Sequence, residues 1–353
     1  MQRHPEKGVR MDHGLGQNNL EPAISTVSES DSLTHWTVDR SIEFIETRDT
    51  TRPFFLWTSF TKPHPPLDPC LPYWELYRNR SVPEPVYGDW SKQLPEEDSA
   101  FRRMTDVLNP WPQRFSGETL ADVRRAYYAC ITQIDYNLGK LFARLREMGL
   151  FENTWIVFTS DHGEFLGDHG LGAKMLPLEA SAHVPLIVMP PPGTAMHEMR
   201  GTTNDALVTL ADLLPTFAGI SNTTPPEVPL DGMDLCSLAT GTQPPRERLF
   251  IQCQEHHGVV DGYWKYAFTD TSQEQLLFNL ENDPEERTNL AGKPEFQAEL
   301  ERMHQILIEH LRASGHPSMK SGMFQPMPIS AEGQERGVWP GHHSIHVPSD
   351  VLH

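Results

Sequence analysis

Residues 154–190 read TWIVFTSDHGEFLGDHGLGAKMLPLEASAHVPLIVMP. Two apolar runs, residues 155–158 and 184–189, flank a loop dense in Asp, His and Gly with a single Lys. Short apolar runs bounded by turn residues suit buried strands of an α/β sheet. In such sheets ligands bind beyond the carboxyl ends of the strands, where Thr159-Ser160-Asp161-His162-Gly163 falls. Asp161 offers a carboxylate and His162 an imidazole, both suited to a divalent metal. Gly163 permits a sharp turn with no Cβ in the way. Lys174, in the same loop, is a point charge able to hold an anionic oxyacid group.

Working outward, residues 118–151 form the clearest helix. Tyr127, Ile131, Ile134, Leu138, Leu141 and Leu145 repeat at three and four, the period of one buried face, and Gly149 is a natural stop. Asp135 lies mid-helix and reads as structural or solvated. Residues 34–48 place Trp36, Ile42 and Ile45 at helical spacing. They lead into residues 54–60, FFLWTSF, a buried strand that ends in Thr61-Lys62-Pro63-His64-Pro65-Pro66. Residues 67–117, rich in Pro, Trp, Tyr and Arg without periodicity, form a long insertion over the domain. Residues 206–219 read as a helix tightened by Pro215, and residues 241–245 as a linker. A smaller unit follows, with strands at 249–254, 263–269 and 275–280 and a helix at 295–311. From residue 313 the Gly/Pro/Ser/His-rich chain reads as a tail, whose His342-His343 pair could bind stray metal. Residues 1–35 show no convincing element, and Asp12-His13-Gly14-Leu15-Gly16 repeats the letters of residues 168–172 by coincidence.

The ordered run Ser160-Asp161-His162-Gly163, Lys174-Met175 and Val184-Pro185-Leu186-Ile187 closely resembles the second half of the sulfatase catalytic domain, of the alkaline phosphatase superfamily. The Pro63-His64 turn, Asp212 to Thr216, the turn at Asp231-Gly232 and residues 279–290 resemble further family segments in family order. The resemblance covers residues 34–312. It implies an α/β fold, an alkaline-phosphatase-like mixed sheet flanked by helices, with a smaller carboxy-terminal antiparallel α+β subdomain. The expected division is 1–245 for a partial catalytic domain, 246–312 for the subdomain and 313–353 for a flexible tail.

By that resemblance, Asp161 and His162 bind a divalent metal. Calcium is the first expectation, and manganese the second because His162, where many sulfatases carry Asn, offers a nitrogen ligand. Lys174 clamps sulfate oxygens, and His64 holds the sulfate or assists the leaving oxygen. Lys62 is a weaker substrate-binding candidate. Glu164, Asp168 and His169 are polar candidates that equally suit loop hydrogen bonding. His183, where relatives often carry Arg, reads as structural.

The family nucleophile lies in a Cys/Ser-x-Pro-x-Arg motif whose Cys or Ser matures to formylglycine. Cys70-Leu71-Pro72-Tyr73-Trp74 ends in Trp and follows the Pro-His turn, and Ser81-Val82-Pro83-Glu84-Pro85 also departs from it. The first family strand, with its paired metal-binding Asp residues, is likewise not found. The expectation is a sulfatase-like hydrolase acting on a sulfated small molecule or sugar, lacking its amino-terminal segment and inactive as the isolated chain. The alternatives are a phosphonate monoester or phosphodiester hydrolase on the same scaffold, and a non-catalytic pseudo-sulfatase.

Bulk properties constrain partners. Over 353 residues, 48 Asp and Glu outweigh 29 Lys and Arg, for a net charge of −19. That disfavours nucleic acid and anionic membrane surfaces, while a local metal can still draw a small anion. No apolar run approaches the roughly 20 residues of a membrane span, and the first residues contain no signal-peptide apolar region. The 4 Cys form no C-x-x-C pair and read as reduced thiols.

Overall fold

A computed structural model describes residues 20–91, 117–224, 230–270 and 272–322. The Asp12–Gly16 repeat, residues 92–116 of the insertion and the His342-His343 pair lie outside the described residues.

Helix α1 (Leu33–Thr47) starts where the Ser32 hydroxyl accepts the His35 N–H, a side-chain N-cap. It buries Val38 and Ile45, while Trp36, expected on the inner face, is exposed. Helix α2 (Leu71–Tyr77) lies within the stretch expected to be irregular. Helix α3 (Glu118–Glu147) packs on α1, joining Leu141 and Leu145 to Val38 and Ile45. Its buried stripe runs through Val123, Ala126, Cys130, Ile134, Leu141 and Leu145. The stripe also takes in Gln133, whose amide donates to the Ser32 hydroxyl, and Asn137, whose amide donates to Glu29. Ile131 is 42% exposed, so the inner face is rotated from the apolar stripe drawn on the sequence. Asp135 is exposed.

The strand expected at residues 54–60 does not form. No strand and no ladder partner is found there among the described residues. Phe54, Leu56 and Phe60 face the α1–α3 core, while Phe55 and Trp57 are 63% and 68% exposed. Alternation survives because it needs only an extended chain over one apolar surface; a strand also needs a neighbour's N–H and C=O groups.

Strands β1 (Ile156–Thr159) and β2 (Leu186–Met189) pair antiparallel, with Ile156 opposite Met189. Between them lie the candidate loop and the one-turn helix α4 (Glu179–Ala182). Helix α5 (Leu213–Ser221) begins later than expected because Pro215 sits in its first turn, where a missing N–H is tolerated. Just before it, the fully buried Asp212 receives both Arg246 guanidinium arms and the Met233 N–H. Burial works against that charge, but Arg246 and the backbone donors outweigh it and hold the carboxyl below its usual range. Gly232 permits the contact: a Cβ there would sit 2.0 Å from the Ala211 carbonyl. Helix α6 (Leu235–Ala239) follows, capped by the Asp234 carboxylate.

The carboxy-terminal unit is a four-stranded antiparallel meander in the order β3 (Arg248–Cys253), β4 (His256–Asp261), β5 (Trp264–Thr269), β6 (Gln275–Asn279). Sequence reading missed β4. It is buried on both faces, so it lacks the alternation that marks a half-exposed strand. Helix α7 (Gln297–Ala313) covers one face, setting Leu300, Met303, Leu307 and Leu311 against Val259, Tyr266, Phe268 and Leu277. Met319 joins this core and Ser318 is buried, so the packed chain runs past the expected tail boundary at 313. The other face carries Ala267, Leu276 and Phe278, and onto it pack Phe165, Leu171, Leu176 and Leu178 of the candidate loop. The second sheet is therefore the floor on which that loop rests.

Candidate active site

The loop after β1 owes its path to one close approach. The Gly163 N–H donates to the Ser181 carbonyl at 2.8 Å, and a Cβ on Gly163 would lie 2.1 Å from the Ala180 carbonyl oxygen. Glycine is required here for contact with the chain returning before β2, rather than for a positive φ. Beyond it, Asp168 accepts from Arg124 and from the Val86 N–H, and the buried His169 lies against Trp90, ring centroids 4.9 Å apart. These two polar candidates therefore brace the loop.

The same folding gathers four of the five site candidates. The Lys174 ammonium lies 2.8 Å from His64 Nε2, and His64 Nδ1 lies 2.8 Å from the Pro65 carbonyl. A carbonyl only accepts, so Nδ1 carries the proton and Nε2 accepts from Lys174. The His64 and His162 rings stand 6.2 Å apart, centroid to centroid. His162 Nδ1 faces the Gly163 carbonyl at 2.8 Å, so its Nε2 presents a lone pair. That Nε2 is 3.7 Å from Asp161 Oδ2, and the Asp161 carboxylate is 85% exposed.

Two ligands held at roughly 2.0–2.4 Å by one ion lie about 3–4 Å apart, so the pair suits a shared divalent cation. One oxygen and one nitrogen fit either a hard cation or a transition metal. Among the described residues these two donors are not joined by a third. Lys62 is engaged elsewhere: its ammonium binds the Asp68 carboxylate and the Pro66 carbonyl, which fixes the Pro-rich turn presenting His64.

Electrostatics couple Lys174 to Glu164. Burial pushes the Lys174 pKa down, with Glu164 and Asp161 opposing the shift. Burial pushes Glu164 up to about 7, against the pull of Lys174 and backbone donors. Glu164 Oε1 is sealed from solvent without a hydrogen-bond partner among the described residues. Perturbed groups converging in this way characterise reactive sites. Glu164 stands in the loop after β1, where residue type alone gives no sign of its burial. Cys253, at the end of β3, feels the Lys174 charge, and no local sequence signal places it here. Burial raises the pKa of all four thiols, Cys130 to about 12 and Cys236 to about 11, so none is an activated thiolate.

A family model for sulfatases matches residues 10–223, and one for the carboxy-terminal region of N-sulphoglucosamine sulphohydrolase matches residues 167–313. An arylsulfatase of Clostridium perfringens is 33% identical over 309 residues, covering 85% of this chain and 62% of the relative. A choline-sulfatase of Rhizobium meliloti is 33% identical over 255 residues, covering 70% and 48%. The chain thus spans about half to three-fifths of the length of these relatives. Among solved structures, a phosphonate monoester hydrolase of Agrobacterium radiobacter superposes with a TM-score of 0.71 at 23% identity, over 89% of this chain and 67% of that one. A protein solved with its substrate D-glucosamine-2-N,6-O-disulfate superposes with a TM-score of 0.66 at 22% identity, over 82% and 71%. Both likenesses concern the fold.

Proposed function

The chain belongs to the sulfatase family, and from that premise we propose that it binds the sulfate group of a sulfated small molecule or sugar at Lys174, with His64 beside the ester oxygen, and contributes to hydrolysis of the ester. The observation that carries this reading is the 2.8 Å contact between Lys174 and His64 Nε2. A neutral imidazole is a weak partner for a desolvated ammonium, and a sulfate oxygen is a stronger one. On binding, Lys174 turns from His64 to the anion. His64 Nε2 is then released towards the ester oxygen; it takes up a proton from water and, as the imidazolium, gives it to the departing alkoxide.

A divalent cation held by Asp161 and His162, calcium in the first instance and manganese in the second, would supply Lewis-acid stabilisation of the sulfate oxygens. Lys174 adds positive charge at a partly buried position, where it counts for more than in bulk water. The nucleophile is assigned to no residue of this chain.

Calorimetric binding of an aryl sulfate to the full chain, with and without Lys174→Ala, tests the reading. Wild type should bind, and the variant should bind at least about tenfold more weakly, a loss of ~1.4 kcal/mol or more. Equal affinity would overturn the assignment of Lys174. Parallel assays with aryl sulfate and aryl phosphonate esters settle the reaction class. A sulfate preference below about tenfold favours the phosphonate reading, and binding without turnover favours a non-catalytic role.

A further inference from the structure

A second cluster of metal-type donors lies in the carboxy-terminal unit, on elements different from those that carry the candidate active site. His257 comes from β4, Asp270 from the residue after β5, and His316 from the chain just past α7. One ligand atom from each lies within 4.8 Å of the other two. Two local devices build the cluster. The β4–β5 register sets His257 opposite Phe268, and the Asp270 N–H donates to the Glu255 carbonyl, so Asp270 arrives beside the start of β4. At the end of α7, Gly315 adopts φ +68° and donates to Arg312, while the His316 N–H donates to Leu311. This left-handed helix stop folds His316 back over the sheet.

The polar accounting there is incomplete. His257 and Asp270 are buried almost completely, yet neither ring nitrogen and neither carboxylate oxygen has a hydrogen-bond partner among the described residues. His257 Nε2 and Asp270 Oδ1 are 2.9 Å apart without the direction of a hydrogen bond. The His257 and His316 rings are nearly perpendicular, centroids 4.9 Å apart. Buried imidazole and carboxylate groups left unsatisfied carry a desolvation cost that a shared cation removes. His316 Nδ1 faces the Ser318 hydroxyl and accepts from the Ser318 N–H, which fixes the ring and leaves Nε2 as the nitrogen for a cation, with loss of its proton. That Nε2 faces the exposed amide of Gln252, a side chain that can swing aside.

We propose that His257, Asp270 and His316 bind a zinc-class divalent transition-metal ion, which ties the end of α7 to the second sheet independently of the Asp161–His162 pair. Two imidazoles and one carboxylate suit zinc or cobalt over calcium or magnesium, which take mainly oxygen ligands.

The test is a zinc titration of the chelator-treated full chain carrying D161N and H162A, which silences the first pair. His316→Ala is the main variant, because His316 lies past the helix end and only half-buried; the isosteric Asp270→Asn is the second. The parent should take up a saturable zinc ion, unfold at higher temperature with zinc, and give visible cobalt(II) absorption bands. Either variant should weaken zinc at least about tenfold and lose both signatures. Zinc affinity and thermal shift unchanged in both variants, or no saturable zinc in the parent, would overturn the proposal.

Discussion

At the scale of single residues, the site depends on two constraints that differ in kind. Gly163 is a packing constraint. Gly163→Ala should cost about 1–3 kcal/mol in urea unfolding, since a Cβ has to push the Ala180 carbonyl away; unchanged stability would show that this approach is not rigid. His64 is a chemical constraint. His64→Ala removes the partner that Lys174 gives up on binding, so aryl sulfate affinity should hold within about threefold. Turnover of the aryl sulfate should fall by roughly 10²–10⁴. A large loss of affinity with turnover intact would make His64 a sulfate ligand instead.

At the scale of elements, α3 separates what apolar spacing can tell from what packing decides. Leu141 is buried against α1, and Leu141→Ala should destabilise by about 2–5 kcal/mol. Ile131 repeats at the same spacing but is 42% exposed, so Ile131→Ala should stay within about 0.5 kcal/mol. Equal costs in paired denaturant melts would restore the inner face drawn on the sequence. The rotation arises because Gln133 and Asn137 satisfy Ser32 and Glu29 inside the packed face. A hydropathy pattern scores such residues as outward.

At the scale of the whole molecule, a buried ionic bridge links the loop–β2 region to the second sheet. Lys265, 0% exposed, lies 2.7 Å from Glu179 Oε1 and 3.0 Å from Glu286 Oε1. Burial opposes the charge on Glu179, but the hydrogen bond with His183 and the charge of Lys265 outweigh it and bring the Glu179 pKa down to about 2. A depressed carboxylate pKa gives stability that is present above the ordinary value of 4.5 and lost as the pH falls through about 2. Glu179→Gln should therefore cost about 2–3 kcal/mol at neutral pH and flatten the acid limb between those values. A parallel acid limb in the variant, measured by stability against pH, would assign the acid sensitivity elsewhere. Among the described residues, no helix is long and apolar enough to cross a membrane.

The family was legible in the order of Asp161-His162-Gly163, Lys174 and the Val-Pro-Leu run, because ordered spacing of chemically distinct residues is a local property of the chain. The sequence also located α1, α3 and α7 to within a few residues, since helices are made from neighbours in sequence. That residues 54–60 find no strand partner among the described residues, and that β4 is a strand, follows from the folded chain, because sheet pairing depends on partners distant in sequence. The same holds for the chemistry. Lys62 and Lys174 look alike as letters, but Asp68 claims one and His64 Nε2 receives the other. The His257, Asp270 and His316 cluster joins a strand, a turn and a helix end, so no local pattern could announce it.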